Sequence, residues 1–240
     1  MSELETVITR DRDDLVATAA EMISNRLSSF AKQNREIHVA ITGGTVGTLV
    51  LEAIGVLVKN EDLSKLHIWW VDERFVSEQS LDRNDLQARS AWLSDSSIKE
   101  QNIHPFPAEE SGSIDDAAKS FANQIEKYSP SFDLVLLGMG EDGHVASLFP
   151  GSKGIEVGTW VVIEKESPKP PPQRLSLSRQ AINGAKEVLF LVSGAEKAGA
   201  VRDALSGVGN LPASTVSGTD RTTWLIDEAA ASEITSSYSP

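Results

Sequence analysis

Short apolar, β-rich runs alternate along this chain with segments of helical periodicity, and this alternation constrains the fold more than any other feature. The runs predicted as strands are Ile37–Ile41, Leu66–Val71, Phe132–Leu137, Trp160–Ile163 and Val188–Val192. The segments predicted as helices are Arg12–Lys32, Thr48–Lys59, Asp82–Leu93, Ile114–Tyr128 and Glu196–Ser206. The run Leu134-Val135-Leu136-Leu137 is apolar on both faces, as is typical of a central parallel strand covered on both sides. The alternation predicts a doubly wound α/β fold.

The chain of 240 residues fits a single α/β domain, predicted over residues 1–240 with a frayed, Ser-rich tail at about 232–240. One segment interrupts the pattern: Ser167-Pro168-Lys169-Pro170-Pro171-Pro172 excludes both helix and central strand. We interpret it as a stiff surface loop, because the β-like run Arg174–Ser178 follows at once. A linker between two domains is the alternative.

Charge and composition exclude several classes of protein. The formal net charge is −13, which disfavours nucleic-acid binding and requires any anionic ligand to meet a local cluster of cations and helix N-termini. There are no cysteines, so disulfides, thiol catalysis and Cys-ligated metals are excluded. The first residues do not resemble a signal peptide, and no apolar stretch approaches the roughly 20 residues of a membrane span. We therefore expect a cytoplasmic protein without nucleic-acid or membrane partners.

A glycine-containing turn follows the first predicted strand. It comprises Thr42, Gly43, Gly44 and Thr45 and leads into a helix. Small residues at such a turn let backbone N–H groups approach an anion, and the helix N-terminus adds partial positive charge. No Gly-Lys-Ser/Thr follows, so the turn is not a P-loop. It predicts a phosphate cradle, with a tight turn without ligand as the alternative.

Charged residues directly follow the second predicted strand. Asp72, Glu73 and Arg74 stand at its carboxyl end, the edge where open parallel sheets bind ligands. Asn84 and Arg89 lie further on, at the start of a predicted helix. Either both face the same cleft, or Asn84 is a helix cap and Arg89 a surface charge.

The segment Gly138–Gly143 matches the dinucleotide fingerprint G-x-G-x-x-G, but we reject that function. Pro150 would end any helix after about two turns, and Asp142 would place a carboxylate among amides meant for a pyrophosphate. The informative residue is His144, in a Gly-flanked loop at a strand's carboxyl edge. A histidine titrates near neutrality and can act as a general base, with Asp72 or Asp142 orienting its ring. A loop histidine bonded only to backbone is the alternative.

Serine–histidine nucleophilic catalysis is disfavoured. The chain lacks a G-x-S-x-G elbow, and Ser147 is only three residues from His144. Two later cations are candidates for phosphate binding. Arg174 begins an alternating segment, and Lys197 lies near a helix start after Gly194. Taken singly, each is more often a surface cation.

These pieces together resemble one family, glucosamine-6-phosphate isomerase/6-phosphogluconolactonase, from about residue 10 to residue 230. The segments that carry the resemblance are Thr42–Thr45, Asp72–Val76, Asp82–Asn84, Gln87–Arg89, Leu137–Pro150, Arg174–Leu177, Gly194, Lys197–Ala198 and Leu211–Ser214. Two positions depart from the family pattern. The first loop commonly continues Ser-Thr-Pro, where this chain has Thr45-Val46-Gly47, and a proline usually stands where this chain has Ser77.

The resemblance implies a three-layer α/β/α, Rossmann-like, mostly parallel sheet of the glucosamine-6-phosphate deaminase and ribose-5-phosphate isomerase type. It implies hydrolysis of a sugar-phosphate lactone, 6-phosphogluconolactone, without metal or cofactor, by a monomer or weak homodimer. The family histidine falls on His144 as general base. The phosphate-site glycines fall on Gly43 and Gly44, and the late lysine falls on Lys197. Arg74 or backbone amides of the 138–144 loop would stabilise the oxyanion.

Two other functions remain open. A deaminase or isomerase of the same fold would have Phe-Asn-Glu-Pro where this chain has Ser147-Leu148-Phe149-Pro150, which lacks the glutamate used in aldose–ketose chemistry. A non-catalytic sugar-phosphate sensor would keep Gly43, Gly44 and Lys197 but could lose His144, which this chain retains.

Overall fold

The computed structural model describes residues 2–128, 131–152 and 158–234. Its strands, numbered in chain order, are β1 (Glu3–Thr9), β2 (Ile37–Ile41), β3 (Leu66–Trp70), β4 (Asp72–Arg74), β5 (Ile103–His104), β6 (Leu134–Gly138), β7 (Val161–Glu164), β8 (Arg174–Leu177), β9 (Glu187–Val192) and β10 (Arg221–Asp227). Its helices are α1 (Arg12–Ala31), α2 (Gly44–Leu57), α3 (Asn84–Ala91), α4 (Ile114–Tyr128), α5 (Arg179–Asn183) and α6 (Ala198–Ser206).

The main sheet is parallel and has the strand order β1-β10-β9-β6-β2-β3-β5. From β2 the chain winds outward through β3 to β5, and from β6 it winds outward in the other direction through β9 to β10. The winding therefore reverses between the neighbouring strands β2 and β6. In open α/β sheets this reversal leaves a crevice at the carboxyl ends of the strands, where ligands bind.

The central strands are buried along their whole length, which explains why the sequence marks them so clearly. Every residue of β2 and β3 is buried, including Trp69 and Trp70, which are almost fully enclosed. Residues covered on both faces are mostly apolar, so these strands are nearly continuous apolar runs, interrupted only by the buried His38 of β2 and His67 of β3. The mostly parallel α/β sheet predicted from the alternation is confirmed.

A second, antiparallel sheet of order β4-β8-β7 lies beside the first. A single residue, Val71, separates β3 from β4, and Arg74 of β4 pairs in register with Arg174 of β8. The predicted strand Trp160–Ile163 corresponds to β7, which belongs to this small sheet and not to the parallel one. The proline segment 167–172 connects β7 to β8, so the hairpin brings it to the carboxyl edge of the main sheet.

Other boundaries also differ from prediction. α2 begins at Gly44 and not at Thr48, so the predicted phosphate loop is largely the first turn of a helix. β1, β5 and β10 were not predicted. Of the predicted frayed tail, residues 235–240 lie outside the described residues, whereas Ile234 packs against the core. In the described ranges, no helix has the length and apolar character needed to cross a membrane.

Candidate active site

A cleft of about 350 Å³ opens at the carboxyl ends of β2, β3, β6 and β9, where the winding of the sheet reverses. Most of the residues that sequence reasoning selected line it. The lining comprises Thr42, Gly43, Gly44, Thr45, Val46, Gly47, Asp72, Arg74, Asn84, Gly138, Met139, Gly140, Glu141, His144, Ala146, Lys169, Arg174, Leu191, Glu196 and Lys197.

The N-terminus of α2 forms one wall of the cleft. Gly43 is the N-cap and no side chain caps the helix, so the first-turn N–H groups at the exposed Gly44 and Thr45 are open to a ligand. A Cβ on Gly43 would lie 1.9 Å from Asn84 Oδ1, so only glycine fits there. Thr42 is buried, and its hydroxyl accepts a 3.4 Å hydrogen bond from the Gly138 N–H. Thr42 therefore joins β2 to β6, and the open backbone N–H groups are the anion-binding element.

The Asp-Glu-Arg segment is locked to α3 by its middle residue. The Glu73 carboxylate accepts hydrogen bonds from the N–H groups of Asn84 at 2.8 Å and Asp85 at 2.9 Å, and so caps a helix that lacks a side-chain N-cap. Burial raises the pKa of Glu73 to about 7, although the charge of Arg83 and the backbone N–H donors act against the shift. Arg74 donates to Asn84 Oδ1 at 2.8 Å, which fixes both side chains at the cleft wall.

His144 is held by Asp142. Its Nδ1 lies 2.5 Å from Asp142 Oδ1, and its backbone N–H donates to the same oxygen at 3.1 Å. Burial alone would raise the pKa of Asp142, but the hydrogen bonds from His144 outweigh it and the pKa is lowered. The ionised carboxylate can only accept a hydrogen bond, so Nδ1 carries the ring proton and Nε2 is left as the basic nitrogen. A Cβ on Gly140 would lie 2.1 Å from the ring, so the close approach of loop and imidazole requires glycine.

Asp72 does not orient the imidazole. Its Oδ2 accepts a 2.6 Å hydrogen bond from the Ser147 hydroxyl, and its Oδ1 lies 3.4 Å from Asn84 Nδ2. Of the two carboxylates considered from sequence, Asp142 therefore contacts His144, while Asp72 lines the cleft. The Ser147 hydroxyl is directed to Asp72, so it is not the partner of a serine–histidine pair.

Lys197 lines the cleft from the turn that follows β9. Asp227 at the end of β10 fixes this turn, since it accepts from the Ser193 hydroxyl at 2.5 Å and the Gly194 N–H at 3.1 Å. Burial lowers the pKa of Lys197, and the nearby Lys169 adds to the shift. A partly buried ammonium that lines the same cleft as an open helix N-terminus favours a ligand that brings negative charge.

Two predicted cations are engaged with the protein itself. Arg174 is buried and donates through Nη2 to the Lys169 carbonyl at 2.9 Å and through Nε to the Pro171 carbonyl at 3.2 Å. It lines the cleft, but these hydrogen bonds hold the proline segment. Arg89 is not part of the cleft lining. It pairs with Asp85 at 2.9 Å and Glu100 at 2.8 Å, because the α3 face that carries it is directed away.

The cleft also contains residues that sequence reasoning did not select. Lys169, Glu141 and Glu196 line it, and Asp227 supports it from behind. The signal for Lys169 was its place in the proline segment, where it is the single cation of a rigid loop in an acidic chain. Asp227 had no comparable signal, because its strand was not predicted.

Fold and cleft define an α/β protein with an anion-binding helix N-terminus and a histidine–carboxylate pair at one sheet edge. A family model described as glucosamine-6-phosphate isomerases/6-phosphogluconolactonase matches residues 10–224. The chain belongs to this family.

Individual relatives agree with the family assignment. The chain is 36% identical to the 6-phosphogluconolactonase of Streptomyces coelicolor, over 98% of this chain and 97% of the relative. It is 35% identical to the 6-phosphogluconolactonase of Mycobacterium tuberculosis, over 94% of this chain and 96% of the relative. Among solved structures, 6-phosphogluconolactonase from Thermotoga maritima superposes with a TM-score of 0.86 at 27% identity, over 94% of this chain and all (100%) of that one. A monomeric glucosamine-6-phosphate deaminase shares the fold with a TM-score of 0.80 at 21% identity, over 95% and 99%.

Proposed function

We propose that this chain hydrolyses 6-phospho-D-glucono-1,5-lactone to 6-phospho-D-gluconate, the second step of the oxidative pentose phosphate pathway. Relatives that are 34% to 36% identical over more than nine-tenths of the chain are 6-phosphogluconolactonases. The observation that carries the proposal is the meeting, in one cleft, of the Asp142–His144 pair with the open N-terminus of α2 and Lys197.

The phosphate is assigned to the wall formed by Gly43, Gly44 and Thr45, together with Lys197. Backbone N–H groups there point at the ligand, and the helix dipole favours its negative charge. Arg174 adds positive charge to the same cleft, although its hydrogen bonds serve the proline segment. Such a local cluster is needed because the whole chain, with a net charge of −13, repels the substrate at long range.

His144 is assigned as the general base. Its Nε2 removes a proton from water, and the resulting hydroxide adds to the lactone carbonyl carbon to form a tetrahedral intermediate. The bond between this carbon and the ring oxygen then breaks, and the protonated imidazole returns its proton to the leaving hydroxyl. The acid product loses a proton to solvent. Asp142 keeps the proton on Nδ1 through both transfers and stabilises the imidazolium between them.

Arg74 is the better of the two candidate oxyanion donors. Within the 138–144 loop, the Gly140 N–H donates to the His144 carbonyl, the Gly143 N–H to the Gly140 carbonyl, and the His144 N–H to Asp142. These amides are engaged and cannot turn to an oxyanion without breaking the loop. The Arg74 guanidinium lines the cleft and carries a full positive charge, which stabilises an oxyanion strongly in a partly desolvated site.

Three further expectations belong to this proposal. The reaction needs no metal or cofactor, the enzyme is cytoplasmic, and it is a monomer or weak homodimer. Light scattering after size exclusion at micromolar concentration measures the oligomeric state, and a stable tetramer would contradict the last expectation.

A coupled assay tests the proposed activity. Glucose-6-phosphate dehydrogenase generates the lactone, and its loss is followed with and without the protein, in the presence of a chelator. We expect a rate far above that of buffer and no deamination of glucosamine 6-phosphate under the same conditions. Folded protein that leaves lactone loss at the buffer rate would overturn the proposal.

A further inference from the structure

The proline segment 167–172 is a sequence motif to which the proposed function gives no task. In the structure it connects β7 to β8 beside the cleft, and Lys169 from its centre is among the residues that line the cleft. A loop that is stiff by composition and places a single cation at a ligand site has the character of a binding element.

The main chain of the segment is fixed from both sides. Ser167 donates its N–H to the Pro172 carbonyl at 3.0 Å and its hydroxyl to the Lys169 carbonyl at 2.9 Å. From beneath, the buried Arg174 guanidinium donates to the same Lys169 carbonyl at 2.9 Å. The backbone of Lys169 is thus anchored, while 51% of its side chain is exposed. An anchored stem and an exposed ammonium group suit a residue that must reach a ligand.

The Lys169 ammonium forms a long, exposed ion pair with Glu141. Its Nζ lies 3.9 Å from Glu141 Oε1, and 61% of the Glu141 side chain is exposed. An exposed ion pair at this distance contributes little free energy, so a phosphate dianion can displace the carboxylate. Lys169 is also close enough to Lys197 for the two charges to repel, which adds to the lowering of the Lys197 pKa. Two neighbouring cations in a cleft are stabilised together when an anion lies between them.

We propose that Lys169 is a second phosphate-binding lysine, which leaves Glu141 on substrate binding and closes with Lys197 on the sugar phosphate held at the N-terminus of α2. This inference rests on the proposed function for the identity of the phosphorylated ligand. Arg174 and Ser167 are then positioning residues, because they hold the loop that carries the ammonium group. Glu141 is a competitor of the phosphate for the same cation.

The proposal predicts that substitutions of Lys169 and of Glu141 change KM in opposite directions. Lys169→Ala removes a phosphate contact, so KM should rise about tenfold, as expected for the loss of one charge-assisted contact, while kcat stays within about twofold. Lys169→Arg keeps the charge and should restore most of the affinity. Glu141→Gln removes the competitor and should lower KM by about twofold to threefold, an effect that should vanish when it is combined with Lys169→Ala.

The test measures binding and turnover separately. Calorimetry with 6-phosphogluconate and with unphosphorylated gluconate gives affinities that do not depend on catalysis, and steady-state kinetics with the lactone give KM and kcat. The matched control is Lys165→Ala, which removes an equal charge from an exposed lysine that pairs with Asp115 and is not among the residues that line the cleft. We expect only Lys169→Ala to weaken binding of the phosphorylated ligand, with gluconate unaffected.

Several results would overturn the proposal. Equally tight binding of 6-phosphogluconate by Lys169→Ala and Lys165→Ala would contradict a phosphate contact at Lys169, and so would a loss of affinity for gluconate in Lys169→Ala as large as that for 6-phosphogluconate. A Lys169→Ala substitution that lowers only kcat would contradict it as well. So would a parent protein that does not bind 6-phosphogluconate. The failure of the proposed function is a separate result. A parent that binds 6-phosphogluconate through Lys169 but does not accelerate lactone hydrolysis would support the phosphate site and contradict the lactonase activity.

Discussion

At the scale of single residues, the imidazole of His144 is held by its neighbours in one orientation. Asp142 lies against Nδ1, and the Phe149 ring packs with its centroid 4.5 Å from that of His144. Only 15% of the side chain is exposed, so the ring has little room to rotate. A base held in this way has its proton on Nδ1 and its lone pair on Nε2, which is the arrangement that deprotonation of water needs.

Asp142→Asn tests this arrangement. An amide in place of the carboxylate can donate to Nδ1, which favours the tautomer with its proton on Nε2 and removes the charge that stabilises imidazolium. We expect kcat to fall by about tenfold or more with KM little changed, because the phosphate contacts lie elsewhere in the cleft. Steady-state kinetics on folded variant measure the effect, and an unchanged kcat would show that the carboxylate does not act through His144.

Site residues could be predicted from sequence where they directly follow a buried strand. Gly43, Asp72 and Arg74 are within a few residues of the ends of β2 and β3, and parallel strands bring their carboxyl ends to one edge. Arg89 is different, since it lies on a helix, where the direction of a side chain depends on packing that a sequence does not state. Lys169 could not be placed because the small sheet that carries its loop was not predicted.

At the scale of elements, the strands that were predicted are those buried on both faces. β2, β3 and β9 are apolar along nearly their whole length because helices cover both sides of the sheet centre. β1 is an edge strand whose residues Glu3, Leu4 and Glu5 are exposed, so its sequence lacks the buried pattern. β4 has only three residues, all charged, so Asp72–Arg74 were placed after the end of a strand and β4 was not predicted.

Three histidines form a buried cluster between neighbouring strands of the main sheet. The ring of His67 of β3 stacks on that of His104 of β5 with centroids 5.2 Å apart, and the ring of His38 of β2 lies tilted against the His67 ring at 4.6 Å. His38 accepts a hydrogen bond from Trp69 Nε1, and Gln124 of α4 contacts His104. Burial lowers the pKa of His38 to about 4 and that of His104 to about 3, with mutual repulsion adding to each shift.

This cluster predicts loss of stability in mild acid. A histidine whose folded pKa is lowered favours the folded state fully above its unfolded pKa of about 6.5, and the advantage is lost as pH falls toward the folded value. In this window, each histidine that is protonated only in the unfolded state lowers the free energy of unfolding by about 1.4 kcal/mol for each pH unit of acidification. His38→Asn, which keeps an acceptor for Trp69, should flatten the dependence between pH 6.5 and about 4. Urea unfolding at a series of pH values measures the free energy of unfolding of both proteins. If it falls equally steeply with pH for the parent and for His38→Asn, His38 is not a source of the acid sensitivity.

At the scale of the whole molecule, the acidic chain and the cations of its cleft, which also contains Asp72, Glu141 and Glu196, act on the substrate in opposite directions. The net charge is −13, yet Arg74, Arg174, Lys169 and Lys197 all line one cleft. Long-range repulsion slows the approach of an anion, and short-range attraction holds it once bound. Salt screens both, and the contacts made inside the cleft are those that set affinity.

Ionic strength should therefore affect KM differently for the phosphorylated and the unphosphorylated lactone. We expect KM for the phosphorylated lactone to rise between about 0.01 M and 0.5 M monovalent salt, because the Debye length falls below the dimensions of the cleft. KM for unphosphorylated gluconolactone, which should be a poor substrate, should stay nearly constant. Kinetics with both lactones across the salt series provide the comparison. A KM for the phosphorylated lactone that falls with salt would mean that the net charge outweighs the local cluster.

The most direct test of the site as a whole is the rate of lactone hydrolysis by His144→Asn, with the buffer rate subtracted because the lactone also opens spontaneously. Asparagine keeps polarity and approximate size, so 6-phosphogluconate should still bind, while kcat should fall by about a hundredfold or more. Circular dichroism and thermal unfolding establish that the variant is folded, and His144→Gln repeats the test if it is not. A folded variant that hydrolyses the lactone within a few-fold of the parent rate would contradict the assignment of His144 as general base, with Asp72 then the next candidate in the cleft.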